Sequence, residues 1–349
     1  MTDARAPDGS VEPTPASDAR PPLWRTVARR VAGPLIGLVV LYFALPLIAA
    51  SISQFPEVRT VTLPWLFVVV ACESASFVMV WMMLRLALGT KQWVPVATAQ
   101  LAGNSLSSAV PGGAAAGAAL QLRMLTEAGI DATKAASGMT VFVLLQFATL
   151  GALPLLTLPA LLAGAAFPGP LRRVIVIGII VFLVTALLAL VLLGFDKPLL
   201  ALGRLLQMLW KRARDLPQRL IAERNQIRSA LGAQWRKAAL VSVGRVGFDY
   251  LALVASVGAV GAHARPSLIL IAYFSATLLA LIPLTPGGLG FVEAGLAGLL
   301  TVAGVDGAHA VLATLIYRLA SYWLPMLAGP VAYVVARVAR ARAARAKAR

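Results

Sequence analysis

Long apolar stretches, separated by short polar ones, dominate the chain between residues 31 and 335. Crossing a bilayer core of about 30 Å takes about 20 residues of α-helix. This pattern predicts an all-α polytopic membrane protein with about six full spans. The six stretches that meet this length are 31–50, 64–88, 135–163, 171–195, 238–262 and 308–335.

A Pro-Gly-Gly break occurs twice inside apolar sequence. The two copies, Pro111-Gly112-Gly113 and Pro286-Gly287-Gly288, lie 175 residues apart. An ungapped alignment of 111–135 with 286–310 gives 10 identities in 25 positions. Corresponding breaks in the two halves of a membrane protein are typical of transport folds built from repeats. The pattern therefore predicts an internal duplication with a transport-type site between its halves.

Basic residues in the polar segments indicate how the chain is oriented. Lys and Arg collect on the cytoplasmic side of multi-pass proteins. The loop 196–237 carries ten basic residues against three acidic ones, and the tail 336–349 carries six more. Both segments and the N-terminus are therefore predicted to be cytoplasmic. This assignment requires that 93–126 and 267–302, which contain the breaks, each enter the membrane, turn and return to the same side.

The resulting arrangement is an inverted-topology repeat with two re-entrant helical hairpins. It places 25 Lys and Arg residues inside and 4 outside. The first repeat covers about 64–163 and the second about 238–335, within a membrane domain at 23–335. Residues 1–22, rich in Pro, Ala, Asp and Ser, are predicted to form a disordered cytoplasmic tail. The alternative is eight ordinary spans, with each Pro-Gly-Gly acting as a kink or a packing notch.

Composition supports a membrane protein and narrows the chemistry. The chain is 59% hydrophobic and 13% charged, with a mean hydropathy of +0.83, whereas soluble domains contain about 25% charged residues. The net charge of +17 fits orientation and anionic lipid better than nucleic acid. A single cysteine, Cys72, and two distant histidines predict no metal site and no cofactor. No nucleotide-binding loop is found, which argues against a primary ATP-driven pump.

The broken backbone is the first candidate for chemistry. Non-helical backbone at membrane depth is tolerated only where protein buries it or water reaches it. Glycine lets a ligand approach the backbone, and helix N-termini attract anionic groups such as phosphate. The alternative is that these small residues simply allow close helix packing. The predicted site positions at the breaks are Pro111, Gly112, Gly113, Gly117, Pro286, Gly287, Gly288 and Gly290.

Five ionisable residues within apolar stretches complete the candidate site: Glu73, Arg245, Asp249, Glu293 and Arg318. Such residues are costly in a bilayer and often functional. Arg245 and Asp249 are four residues apart on one helical face, which predicts an ion pair. Arg318 could meet Glu293, Asp249 or a lipid phosphate, since an Arg fork suits phosphate. The alternative for all five is a set of structural salt bridges and hydrogen bonds.

Two segments of the second half carry a family resemblance. They are Pro286-Gly287-Gly288-Leu289-Gly290-Phe291-Val292-Glu293-Ala294-Gly295 and Tyr317-Arg318-Leu319-Ala320-Ser321-Tyr322-Trp323-Leu324-Pro325. These segments resemble the lysylphosphatidylglycerol synthase transmembrane family, also called flippase-like, whose best-known member is the membrane half of the multiple peptide resistance factor. The resemblance covers roughly 31–335, but the first break has Ala118 where the second has Glu293. It implies lipid translocation across the bacterial cytoplasmic membrane.

The leading hypothesis is therefore a lipid flippase or transporter of the bacterial cytoplasmic membrane, with both termini cytoplasmic. Its partners would be membrane lipids, in particular an anionic phospholipid, with a homo-oligomer or a separate lipid-modifying enzyme as further partners. Lysyltransferase activity is not expected, because the chain continues for only 14 residues after the last predicted span. Two alternatives stay open. One is a membrane enzyme or subunit acting on lipid-linked sugars, hopanoids or aminoacyl lipids, and the other is a small-solute secondary transporter.

Overall fold

The computed structural model describes residues 61–110, 113–153, 234–280 and 286–347, together with isolated positions between 155 and 225. Within each of these ranges the chain is helical, with short turns between consecutive helices, which confirms the predicted all-α class. The helices are α1 (Leu63–Leu88), α2 (Val94–Ala109), α3 (Ala114–Glu127), α4 (Ala132–Ala152), α5 (Trp235–Ala259), α6 (Pro266–Leu279), α7 (Phe291–Val302), α8 (Gly307–Arg318) and α9 (Leu324–Lys347).

Within the described ranges, four helical segments are long and apolar enough to cross a membrane. They are α1, α4, α5 and the continuous segment Gly307–Arg342 formed by α8 and α9. Their positions match the predicted spans at 64–88, 135–163, 238–262 and 308–335, and they confirm a multi-pass membrane protein. The other two predicted spans, 31–50 and 171–195, lie outside the four described ranges, as does most of the 196–237 loop.

The stretches around the two breaks form shorter helices. The arms α2 and α3 have 16 and 14 residues, and α6 and α7 have 14 and 12. At 1.5 Å per residue these arms are about 18–24 Å long, which is less than the ~30 Å hydrocarbon core. Within each pair the two arms pack against each other. Each of these arms is therefore shorter than a full membrane span.

Helix boundaries repeat at the same offset as the sequence. Helix α3 ends at Glu127 and α7 ends at Val302, exactly matching the 175-residue spacing. Each is followed by a glycine with positive φ and then by an aspartate that caps the next helix. The equivalent residues are Gly129 (φ 89°) and Gly304 (φ 95°), and Asp131 and Asp306, whose carboxylates accept the backbone N–H groups of Lys134 and Ala308.

The equivalent helices α1 and α5 run antiparallel against each other. Thr62, just before α1, donates its backbone N–H to Ala259 at the end of α5, at 3.0 Å. Midway along the pair, the Ser76 hydroxyl donates to the carbonyl oxygen of Arg245 at 3.1 Å. Residues with increasing numbers along α1 thus contact residues with decreasing numbers along α5, as antiparallel helices require. This contact joins the two halves of the molecule.

Each half has its own apolar core. Residues of α1–α4, such as Met83, Leu84 and Leu125, are fully buried in the first, and residues of α5–α8, such as Leu253 and Leu300, are fully buried in the second. Many large apolar side chains instead point outward, as expected for helices that face lipid. Phe67 and Leu240, for example, are 72% and 73% exposed. The described chain thus has two large apolar clusters, one mainly in each half, a smaller cluster shared by the halves, and a lipid-facing rim.

Helices α8 and α9 are joined by a π-helical turn at Leu319–Trp323, where the N–H of Leu324 bonds to the carbonyl oxygen of Leu319. The next residue, Pro325, has no N–H to give, which favours a local change in the helical bonding. Such turns are frequent at functional sites because they redirect side chains. Helix α9 continues to Lys347, so the basic tail predicted at 336–349 is helical over most of its length.

Candidate functional site

A polar cavity of about 390 Å³ lies where the two halves meet. It receives residues from α1, α2 and α4 of the first half and from α5 through the π-helical turn of the second. Five predicted site residues line it: Glu73, Arg245, Asp249, Gly287 and Arg318. The structure therefore brings together charged groups that are up to 245 positions apart in the sequence.

Arg318 makes an ion pair with Glu293 at one end of the cavity. Its Nε donates to Oε1 of Glu293 at 2.7 Å, and its Nη2 donates to the carbonyl oxygen of Gly287 at 3.1 Å. The guanidinium also lies 4.4 Å from the centroid of the Tyr322 ring. The side chains of Arg318 and Glu293 are only 11% and 18% exposed. The pairing predicted as one option for Arg318 is thus the one formed.

Local sequence explains how Glu293 is positioned. Gly287, Gly288 and Gly290 all have positive φ, at 59°, 72° and 81°, a region that glycine enters without steric cost. These turns bring the chain to the start of α7, where the N–H of Gly290 donates to Oε2 of Glu293 at 2.7 Å. A carboxylate is stabilised at this positive helix end. The helix end predicted to attract a phosphate is therefore already occupied by the protein's own acid.

Asp249 is held by two tyrosines. The hydroxyl of Tyr273 on α6 donates to Oδ2 at 2.9 Å, and that of Tyr317 on α8 donates to Oδ1 at 2.6 Å. The ion pair predicted between Arg245 and Asp249 is not among the ion pairs of the described residues. Tyrosine donors take its place because α6 and α8 pack on α5 and bring their hydroxyls to the carboxylate.

Three polar side chains that line the cavity have atoms with no hydrogen-bond partner within the described part of the chain. They are Oε2 of Glu73, Nε of Arg245 and Oε1 of Gln146, each with almost no accessible area. Glu73 is 94% buried, at 6% relative exposure. Buried polar groups normally have partners because an unmade hydrogen bond costs about 1–3 kcal/mol. Their clustering around one cavity is what a site for a polar ligand requires.

The first Pro-Gly-Gly copy has a different local role. Pro111 and Gly112 lie outside the described residues. A side chain at Gly113 would meet carbonyl oxygens of α2, and one at Gly117 would collide with Ser107. Neither glycine is among the described residues that line the cavity. Both instead allow α2 and α3 to pack closely, which was the structural alternative for the glycines.

The second break lies against the first hairpin. The turn Pro286–Gly288 packs on α2, and the hydroxyl of Tyr322 donates to the carbonyl oxygen of Ser108, near the end of α2, at 3.2 Å. A side chain at Gly287 would collide with the Tyr322 ring and hydroxyl. This contact between the two hairpins therefore forms one wall of the cavity, which Ser108, Gly287 and Tyr322 line.

Sequence reasoning missed several polar residues of the cavity. Tyr273, Gln100 and Gln146 lie in apolar or mixed helices where no motif marks them, and Tyr317 was noted only as part of the family resemblance. The amide of Gln100 accepts a hydrogen bond from Nε1 of Trp81 at 3.1 Å. The hydroxyl of a buried tyrosine usually needs a hydrogen-bond partner. The presence of tyrosines in spans of a protein with an intramembrane acid was therefore the sequence signal that could have identified Tyr273 and Tyr317.

Comparison with known proteins supports the resemblance. Residues 30–329 match the family model described as "Lysylphosphatidylglycerol synthase TM region". A UPF0104 membrane protein of Methanothermobacter thermautotrophicus is 34% identical over 94 residues, which is 27% of this chain and 27% of that protein. The aligned segment thus spans about a quarter of that relative. Since the family model covers most of the chain, including the cavity, this protein belongs to the lysylphosphatidylglycerol synthase transmembrane-region family.

Proposed function

We propose that this protein is a flippase that moves a polar membrane lipid, of which an anionic phospholipid is the first candidate, across the cytoplasmic membrane. One observation carries the proposal: a polar cavity with unpartnered buried atoms lies between two halves of a protein that faces lipid. A lipid headgroup is a polar ligand that a membrane protein encounters in the surrounding bilayer. The family of the chain agrees with a lipid-related role.

The inverted-topology repeat with two re-entrant hairpins is part of this proposal. It is supported by the short arms, by helix boundaries that recur 175 residues apart, and by the antiparallel contact of α1 with α5. In transporters of this type the substrate binds near the midplane between the repeats, and one repeat rocks against the other. The contact between the Pro286–Gly288 turn and α2 fits such a boundary.

The charged groups of the cavity differ in how available they are to a ligand. Glu293 and the Gly287 carbonyl already engage Arg318. Arg245 lines the cavity and makes no ion pair among the described residues, so its guanidinium is more available to a phosphate oxygen than that of Arg318. Glu73 and Gln146 offer unpartnered acceptors to hydroxyl or amine groups of the same headgroup. We therefore assign phosphate binding to Arg245 and a structural, turn-holding role to Arg318.

The test is transport in reconstituted vesicles. Purified protein is placed in liposomes with phosphatidylglycerol that is fluorescent at its headgroup or acyl end, and the fraction that a membrane-impermeant quencher can reach is followed over time. Wild-type protein should expose lipid faster than empty vesicles, and Arg245→Gln should slow this at least 10-fold. Val331→Ala, at a lipid-facing position that is 63% exposed, is the matched control. Wild-type rates equal to those of empty vesicles, with several headgroups, would overturn the proposal.

A parallel arm separates lipid from solute transport. The same vesicles are tested for uptake of glycerol 3-phosphate, which carries the phosphate without acyl chains. A flippase should not take it up, whereas a small-solute transporter with the same cavity would. Uptake of the soluble compound without movement of the lipid would assign the cavity to a solute.

A further inference from the structure

A second cavity, of about 310 Å³, lies between α4 and α5 and is almost wholly apolar. The side chains of Trp235 and Val243, which line it, are 63% and 60% exposed, so the cavity is a groove on the lipid-facing surface. Among the described residues, Leu145 of α4 and Ala239 and Val246 of α5 also line it.

The groove and the polar cavity share a wall. On α4, the groove residue Leu145 is followed by the cavity residue Gln146, and on α5 the cavity residue Arg245 is followed by the groove residue Val246. The two polar residues thus stand at the boundary, one from each helix. Both carry one of the buried atoms that have no partner among the described residues.

The length of the groove fits one leaflet. From Trp235 to Val246 is 11 helical steps, or about 16 Å, and one leaflet contributes about half of the ~30 Å hydrocarbon core. Trp235 begins α5 and directly precedes Arg236 and Lys237. Tryptophan beside basic residues is typical of the cytoplasmic interface. The groove therefore leads from that interface to the depth of Arg245.

We infer that this groove is a lateral entrance in which an acyl chain of the transported lipid lies, while the headgroup occupies the polar cavity and the phosphate passes between Gln146 and Arg245. This inference rests on the proposed lipid transport and names the entry path and leaflet. The occupant is a phospholipid from the cytoplasmic leaflet. A phospholipid has apolar acyl chains and a polar headgroup. The apolar groove and the adjacent polar cavity, with unpartnered polar atoms at their boundary, match these two parts.

Photocrosslinking tests the groove independently of transport. A benzophenone amino acid replaces Ala239, which lines the groove, or its neighbour Leu240, which is 73% exposed and does not line it. Both should crosslink to radiolabelled phosphatidylglycerol in vesicles. Adding Arg245→Gln should lower the crosslink at position 239 at least fivefold and leave that at 240 unchanged. Equal changes at both positions, or none at 239, would overturn the inference.

Blocking the groove gives the second readout. Ala239→Trp should slow lipid transport at least 10-fold, whereas Leu240→Trp should not, with folding of both checked by size-exclusion chromatography and thermal unfolding. Normal lipid transport by folded Ala239→Trp would overturn the lateral entrance but would not contradict the proposed flippase function. If wild-type protein moves no lipid but still shows the Arg245-dependent crosslink, the proposed transport is refuted. The inference that a lipid binds in the groove then still holds.

Discussion

At the scale of single residues, the Arg318–Glu293 pair is the most consequential contact. It links α8 to α7 and, through the Gly287 carbonyl, to the glycine turn. Both side chains are largely removed from solvent, so removing one partner leaves a buried charge uncompensated. We expect this pair to hold the turn in the position where it lines the cavity.

Arg318→Ala and Glu293→Ala should each reduce the stability of the purified protein by about 3–5 kcal/mol, the cost of breaking a buried pair. The double variant should cost clearly less than the sum, because neither charge is then left alone. Thermal and chemical unfolding in one detergent would measure this cycle. Strict additivity would show that the two side chains act independently.

Asp306 makes a pH-dependent contribution outside the membrane-spanning segments. A hydrogen bond with His309 and another with the N–H of Ala308 lower the pKa of this carboxyl below its ordinary value of 3.8. Since the folded-state pKa is the lower one, the stabilisation is complete above the ordinary value and is lost as pH falls through the lowered pKa.

The melting temperature of Asp306→Asn should therefore lie below that of wild type near neutral pH, and the difference should begin to shrink as the pH falls below 3.8 towards the lowered pKa. Asparagine keeps the capping geometry but lacks the charge, so the difference isolates ionisation. Unfolding curves between pH 3 and pH 7 would show it. A difference that is constant over this range would assign the effect to the cap alone.

At the scale of elements, the glycine turn before α7 depends on a residue without a side chain. Gly287 has φ 59°, and a Cβ there would collide with Tyr322. Gly298, in the middle of α7, has open space around its Cα. The two glycines therefore offer a matched pair of substitutions in one hairpin.

Gly287→Ala should reduce lipid transport at least 10-fold and lower the melting temperature, because the turn must move away from Tyr322. Gly298→Ala should leave transport within twofold of wild type, and its better helix propensity favours α7. The vesicle assay and thermal unfolding report both effects. Normal transport by Gly287→Ala would show that the turn does not need its observed geometry.

The elements were largely predictable from the sequence, but the details of the site were not. Apolar length alone located α1 and α5 within three residues, and the Pro-Gly-Gly breaks separated the hairpin arms. The partners of Asp249 were not predictable, because the spacing of Arg245 suggested an ion pair while the tyrosines come from α6 and α8. Which side chain meets a buried acid depends on packing between distant helices, and that information is not local in sequence.

At the scale of the whole molecule, the proposed inverted repeat makes a prediction about the side of the membrane on which two positions lie. Ala132 and Gly307 are equivalent at the 175-residue offset, begin α4 and α8, and are exposed. If the hairpins enter from opposite faces, the two positions lie on opposite sides of the membrane. If the chain instead forms eight ordinary spans, both lie outside.

Single cysteines at Ala132 and Gly307, in a Cys72→Ser background, should label differently in intact cells. A membrane-impermeant maleimide should reach Gly307→Cys from outside and Ala132→Cys only after permeabilisation. Outside labelling of both would support eight spans and contradict the inverted repeat. The cysteine-free background gives the control for non-specific labelling.

The unequal turns have a thermodynamic consequence for the whole molecule. In a carrier with two-fold pseudo-symmetry, the inward-open and outward-open forms are related by exchanging the conformations of the two repeats, so they would have similar free energies. Here Ala118 and Val143 stand where the second half has Glu293 and Arg318, so this ion pair has no equivalent in the first half. In the proposed carrier the pair would remove that degeneracy, and we expect the protein to rest with one face open. Rocking to the other face then requires either straining the turn that the pair holds or carrying it along as a rigid unit.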